Sequence, residues 1–254
     1  MYPVLFQFNN YRIGSYWFFM VLGIAIGGMV FLKQVGRKNL NVKKAKYVTI
    51  VTIISGFVGA RICSVLLNLH LYLKDPLRIF CFWKGGFSWQ GAFIIGTLVF
   101  IIFLRINKEN IKKWLDALIF GILLGHAIGR IGCFLHGCCY GIITNVPWTI
   151  NFPSLRNNFL RHPTQLYEAF SYFIIFLSLY SYSNKTKLRD GSLFFIGSII
   201  QSFARFFIEY FRYNTGFIFQ GNTWYSTLSY AQFASSIIMI LSILILIKIN
   251  KEPL

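Results

Sequence analysis

Three arginines fall inside long apolar stretches, and ionisable groups so placed are functional candidates because charge is expensive in hydrocarbon. Arg130 lies near the end of one stretch, with His126 one helical turn earlier on the same face. Arg205 sits midway along another with Glu209 at i+4, a spacing that also suits a purely structural ion pair, and Arg61 closes Gly56-Phe-Val-Gly-Ala-Arg61 in a third. Acids are scarce, at 7 Asp+Glu against 25 Lys+Arg. Asp116 and Glu168 lie near the ends of apolar stretches and Glu209 neutralises one arginine, so at least one guanidinium is expected to await an anion from outside the protein. In a bilayer the obvious anion is a lipid phosphate, which guanidinium binds bidentately. Gly56, Gly59, Gly129 and Gly132 would let helices or a lipid glycerol backbone approach.

A second group of reactive types follows Arg130. Cys133, His136, Cys138 and Cys139 form Cys-x2-His-x-Cys-Cys, and three readings are open: reduced packing thiols, a disulfide or redox pair, or a metal site. Four donors within seven residues make a closed tetrahedron awkward. A Cys138–Cys139 bridge would be strained, whereas a Cys133–Cys138 bond is open to the chain if a helix ends between them. Cys63 and Cys81 are most simply core and loop residues.

The elements that must position these groups are apolar runs long enough to cross about 30 Å of hydrocarbon, which takes ~20 helical residues. Seven lie near 14–32, 47–67, 87–104, 114–135, 167–182, 191–211 and 228–247, with the fifth short. The expected fold is all-α: a polytopic membrane protein of seven transmembrane helices forming one domain over 1–254. There is no fixed-period repeat or Pro- or Ser-rich linker. Residues 1–10 carry no Lys or Arg, unlike a secretory leader, so the first span is expected to be retained.

The net charge of +18 is divided by topology. Fifteen basic residues fall in the loops after the first, third and fifth spans and in the tail, seven fall on the other side, and three lie within spans. This asymmetry places the N-terminus outside and the C-terminus in the cytoplasm. It also excludes a nucleic-acid face, which needs clustered basic surface. The external loops hold Trp83, Gly85, Gly86, Trp148, His162, Pro163 and Trp224, a composition that suits an ordered outer surface carrying function. Phe18, Phe19, Phe206, Phe207 and Phe211 read as lipid-facing or packing residues, and Trp83, Trp89, Trp148 and Trp224 as interfacial anchors.

Gly129-Arg-Ile-Gly-Cys-Phe-Leu-His-Gly-Cys-Cys-Tyr-Gly141 resembles the signature segment of the prolipoprotein diacylglyceryl transferase family, seven-span enzymes of the bacterial cytoplasmic (inner) membrane. Trp83-Lys-Gly-Gly-Phe-Ser-Trp-Gln-Gly91, Arg161-His-Pro-Thr-Gln-Leu-Tyr-Glu168 and Ala204-Arg-Phe-Phe-Ile-Glu-Tyr-Phe-Arg212 resemble further family segments in order, and Tyr16 and Gly59-Ala-Arg61 also align. The resemblance implies transfer of the diacylglyceryl group from phosphatidylglycerol to the lipobox cysteine thiol of a preprolipoprotein, the first step of lipoprotein maturation, with release of glycerol phosphate. Its partners are that lipid, the signal peptide bearing the lipobox cysteine, and the bilayer. The scheme calls for no metal or other cofactor. Arg130 and Arg205 would stabilise charge growing on the leaving phosphate, with Tyr16, Arg61, Gln90, Cys133, Gly141, Gln201 and Glu209 lining the substrates.

Departures from the family pattern accompany the matches. The family often has His at Gln90, Asn at Cys133, Glu at Cys138 and Tyr at Gln201. Gln takes no proton at neutral pH, so a base cannot be carried over to Gln90, which can still orient a headgroup. His126, His136, His162 and Glu168 are the other acid–base candidates. A packing role is the plainer expectation for His126, ordering of the outer loop for His162, and a charge pair with Arg161 is open to Glu168. The rival function is a non-catalytic or altered-specificity lipid-binding relative with a Cys/His redox or metal site. A transporter is a weaker third, lacking paired helix breaks or internal repeats.

Overall fold

The computed structural model describes residues 1–8, 11–81, 86–155, 157–186, 188–213, 217–219 and 228–251. The expectations placed on Trp83, Gly85 and Trp224, and on the side chains of Trp89 and Gln90, lie outside what is described. Seven long helices dominate: α1 (Ser15–Arg37), α2 (Val42–Leu67), α4 (Trp89–Ile106), α5 (Ile111–His136), α6 (Thr164–Lys185), α7 (Ser192–Ile208) and α8 (Tyr230–Lys251), with a short α3 (Leu69–Lys74). Three antiparallel two-stranded ribbons join them: β1 (Val4–Phe8) with β2 (Tyr11–Gly14), β3 (Ile150–Asn151) with β4 (Leu160–Arg161), and β5 (Phe217–Phe219) with β6 (Leu228–Ser229).

The chain is an all-α polytopic membrane protein. Among the described residues five helices are both long and apolar enough to cross a bilayer, namely α1, α2, α5, α8 and α7 with its 3-10 extension Glu209–Phe211. A further apolar helical stretch, Gly91–Ile106, is shorter. The fifth apolar run, expected as a short segment at 167–182, is a 22-residue helix beginning at Thr164. Pro163 sets its start, since a fixed φ and a missing N–H are tolerated only at a helix's first turn.

The contacts divide into two compact units, residues 35–114 and residues 1–34 with 115–254. In the first, α2 packs on α4 through glycines. A Cβ on Gly59 would stand 2.7 Å from the Gly91 carbonyl oxygen and 2.5 Å from Ile95 Cβ. At its polar end Lys44 Nζ donates to Glu109 Oε1 (2.7 Å) and Trp114 Nε1 to Glu109 Oε2 (3.1 Å). These bonds, Lys44 first, hold the Glu109 carboxyl below its ordinary range.

In the second unit, Phe120, Leu123 and Ala127 of α5, Tyr172, Ile175 and Leu179 of α6, and Leu193 of α7 form one buried cluster. Asp116 is 1% exposed. Its two oxygens accept the backbone N–H groups of Gly191 and Phe194, each at 2.9 Å, so an acid from α5 satisfies orphan donors at the α7 N-terminus. The other device is Gly23 and Gly27 of α1 against Gly121 and Gly125 of α5. A Cβ on Gly23 or Gly27 would lie 2.6 Å from a carbonyl oxygen of the opposite helix, so the backbones touch.

Candidate active site

Arg130 on α5, Glu168 on α6 and Arg205 on α7 converge in the second unit. Glu168 ion-pairs through Oε2 with Arg130 Nε and through Oε1 with Arg205 Nη1. The other arm of Arg205 reaches Glu209 Oε2 at 2.9 Å, and Arg212 Nη1 stands 3.6 Å from Glu168 and 3.7 Å from Glu209. Glu168 is 1% exposed and Glu209 6%, while the arginine side chains keep 15–18% of their surface open. Among the described residues three guanidiniums face two carboxylates, leaving one positive charge in excess within the cluster.

Two expectations are corrected here. Glu168 is the hub of the cluster; Arg161, its suggested partner, instead donates through Nη1 to the Gly141 carbonyl oxygen (3.2 Å) with its guanidinium over Tyr213 and Tyr140 at 4.5 and 5.1 Å. Arg212, counted with the topological charges of the loops, belongs to the cluster. Its signal was present: Arg205, Glu209 and Arg212 follow an i, i+4, i+7 spacing that lies on one helical face.

Arg61 belongs to the other unit and is 4% exposed. Its Nε donates to Ile79 O (3.0 Å), Nη1 to Gly86 O (2.9 Å) and Nη2 to Arg78 O (2.5 Å). Tyr72 and Phe87 stack on it at 5.4 and 5.6 Å. The guanidinium thus gathers the segment after α3 onto α2, beside a cavity of about 220 Å³ lined by Ser64, Asn68, Tyr72 and Arg78.

Around the charge cluster, His126 stacks on Tyr172 with ring centroids 4.7 Å apart, and Tyr172 shares a hydrogen bond with Gln201. A Cβ at Gly132 would meet Phe19 Cβ at 2.6 Å, so that glycine seats α5 against α1. Gly129, next to Arg130, has nothing within 4 Å of its Cβ position. Of the two glycines flanking Arg130, one closes a helix contact and one faces open space.

The segment after α5 folds back sharply. Gly137 (φ +82°) and Cys139 (φ +64°) are both left-handed, an uncommon conformation for a cysteine. The His-Pro-Thr-Gln segment holds it: Thr164 Oγ1 donates to Cys139 O (2.8 Å) and Gln165 Nε2 to Cys138 O (2.5 Å). Gly141 N–H donates to His162 O (2.8 Å) and Tyr213 N–H to Tyr140 O (3.1 Å). A Cβ on Gly141 would lie 2.5 Å from Phe211 O and 2.6 Å from His162 Cβ, so this crossing requires glycine. Gln165 and Thr164, each 1% exposed, were not singled out from the sequence as site residues.

This fold brings the Cys133, Cys138 and Cys139 sulfurs within 4.8 Å of one another, all three as free thiols. Tyr16 of α1 lies in electrostatic range of all three and of Arg130, with its ring 6.1 Å from that of the exposed His136. Cys139 is pushed below the ordinary thiol range by hydrogen bonds from Cys133 and Cys138, and then by the charges of Arg212 and Arg130; Cys138 is pushed up by its sulfur neighbours. His162 Nδ1 is 2.9 Å from Tyr167 Oη, which accepts from Trp148 Nε1 at 2.6 Å. Burial holds that imidazole below its ordinary range. Trp148, Pro163, Leu166, Tyr167 and Phe170 border an open apolar cavity of about 550 Å³.

Residues 3–248 match the family profile described as prolipoprotein diacylglyceryl transferase. The chain is 35% identical over 251 residues to phosphatidylglycerol–prolipoprotein diacylglyceryl transferase 2 of Clostridium perfringens, covering 98% of this chain and 95% of that one. It is 33% identical over 225 residues to a Wolbachia pipientis phosphatidylglycerol–prolipoprotein diacylglyceryl transferase (85% of each chain). The Clostridium tetani protein of that name is 30% identical over 248 residues (96% of each).

Proposed function

The chain belongs to the prolipoprotein diacylglyceryl transferase family, and from that premise we propose that it transfers the diacylglyceryl group of phosphatidylglycerol to the lipobox cysteine of preprolipoproteins. The observation that carries this reading is the excess positive charge of the Arg130–Arg205–Arg212 cluster, beside open space at Gly129. A phosphodiester anion supplies the missing charge, and its glycerol backbone fits into the open space at the Gly129 Cβ position. The protein acts as one multi-pass domain of the bacterial cytoplasmic membrane, with its N-terminus outside.

In the reaction the acceptor sulfur forms a bond to the terminal glycerol carbon of the diacylglyceryl group. The C–O bond to phosphate breaks, and its electron pair leaves on the phosphate oxygen as glycerol phosphate. Charge on that phosphate rises from one towards two negatives, so guanidiniums held in place by Glu168 and Glu209 bind the transition state more strongly than the lipid. Holding matters because a long arginine free to follow the ground-state phosphate would favour both states alike. Arg130 and Arg205 touch the phosphate, Glu168 and Glu209 position them, and Tyr16 and Gln201 border the lipid and peptide. The nucleophile is the substrate's own thiolate.

The test is transfer of labelled diacylglycerol from phosphatidylglycerol to a lipobox peptide by the purified protein. Arg130→Ala and Arg205→Ala, folded by their melting curves, are expected to lose transfer. A wild-type protein that binds the lipid yet never modifies the peptide refutes the proposal.

A further inference from the structure

The three thiols have no task in the reaction as drawn, and that reaction assigns no group to the acceptor thiol's proton, since glutamine stands where the family often carries histidine. The two gaps fit one another. Sulfurs within 4.8 Å of one another stand at most about an ångström beyond the ~3.8 Å edge of a tetrahedron built on ~2.3 Å zinc–thiolate bonds. Side-chain torsions close such a difference without moving the backbone. The backbone is already committed: Thr164 and Gln165 pin the carbonyls of Cys139 and Cys138, and Cys139 is held at φ +64°.

All three donors come from the last turn of α5 and the bend that follows it, so they cover one side of an ion and leave the other open. Among the described residues no fourth Cys, His, Asp or Glu joins the group. Three protein ligands and a free fourth position is the pattern of a catalytic zinc site, whereas a structural site is closed. The bend also adjoins the charge cluster. Cys133 follows Arg130 by three residues on one face of α5, and Gly141, two residues past Cys139, is bridged to Arg212.

Resting on the transfer reaction above, we propose that Cys133, Cys138 and Cys139 bind one Zn²⁺ whose open position takes the acceptor peptide's cysteine. Coordination removes the thiol proton, which passes to solvent, so the acceptor arrives as a thiolate without a protein base. The zinc-bound sulfur then forms the S–C bond as the C–O bond breaks towards the arginines. The product is a thioether, which is neutral and a weaker ligand than a thiolate, and it leaves the ion.

The full-length protein in detergent is depleted of metal with a chelator and titrated with Co²⁺, then with competing Zn²⁺. One Co²⁺ per chain with near-ultraviolet sulfur-to-metal charge transfer is expected. A lipobox peptide should raise that band by about one third, three thiolates becoming four, while its Cys→Ser version should not. Cys139→Ser is expected to weaken binding by at least about 100-fold, more than loss of an outer partner costs, and Cys63→Ser to leave it unchanged. Binding of equal strength in Cys133→Ser, Cys138→Ser and Cys139→Ser, or a native disulfide within the trio, overturns the site. Undiminished transfer by metal-free protein overturns the inference and leaves the transfer standing. Cobalt joined by the peptide thiol, with no transfer in any metal form, upholds the site and refutes the transfer.

Discussion

Glu168→Gln is the most informative single change, because one carboxylate holds Arg130 and Arg205 in contact and Arg212 at 3.6 Å. The substitution keeps shape and volume, so packing on α6 is preserved and the loss is electrostatic. It turns a cluster of three cations and two anions into three and one, and it turns an NH₂ donor towards guanidiniums that also only donate. Breaking a buried ion pair from one side costs roughly 3–5 kcal/mol. The arginines keep 15–18% of their surface and can turn partly to water, which favours the lower end, about 3 kcal/mol. The assay is equilibrium unfolding in one fixed detergent. Adding Arg205→Gln to Glu168→Gln removes one stranded charge and should recover part of the loss, with a coupling of about 2 kcal/mol, within the usual range for contacting residues. Catalysis should separate from binding: phosphatidylglycerol is held at least as tightly by the more positive cluster, while kcat falls because the guanidiniums are no longer aimed. A Glu168→Gln protein within about 0.5 kcal/mol of wild type, or a double variant that is simply additive, refutes the hub assignment.

Gly23→Ala forces a methyl to 2.6 Å from the Gly125 carbonyl oxygen and should destabilise by about 1–3 kcal/mol in the same unfolding assay. Gly129→Ala, with open space around it, should leave stability unchanged and raise KM for the lipid. Burial holds the folded His162 pKa below its unfolded value, so its contribution to stability is complete above about pH 6.5 and is lost as pH falls towards the depressed folded value. His162→Asn should therefore flatten the dependence of Tm on pH between neutral and mildly acidic buffer. Arg61→Lys replaces a planar fork touching Ile79, Gly86 and Arg78 carbonyls with a single ammonium, and should speed limited proteolysis within 75–88.

The long elements were legible because hydrophobic length is a local property. Each of the seven apolar runs coincides with a helix, and among the described residues five of these are long and apolar enough to cross a bilayer, where backbone groups must be satisfied within the segment itself. The ends were less legible because they are decided by other segments. Pro163 moved the start of α6 back by three residues, and Asp116, 75 residues away in sequence, supplies the acceptor at Gly191. The α1–α5 contact carries its own signature, Gly23-x3-Gly27 facing Gly121-x3-Gly125.

Charge in the site shows the same divide between a group's presence and its partner. Arg130, Arg205 and Glu209 stand out in the sequence because each is costly where it lies, but cost alone does not say which charges meet. Glu168 precedes its i+4 neighbour Tyr172 on α6, and nothing local assigns it to α5 and α7; only packing three helices does so. The excess positive charge sits on different residues than expected. Arg61 is satisfied by carbonyls and rings, Arg130 and Arg205 share Glu168, and the excess enters with Arg212. Because Arg212 is anchored through Gly141, which tolerates no side chain, the charge that a phosphate would answer depends on the cysteine bend. Enlarging Gly141 should displace Arg212 and weaken lipid binding even with every charged residue intact, and lipid affinity unchanged in a folded Gly141→Ala protein would break that link.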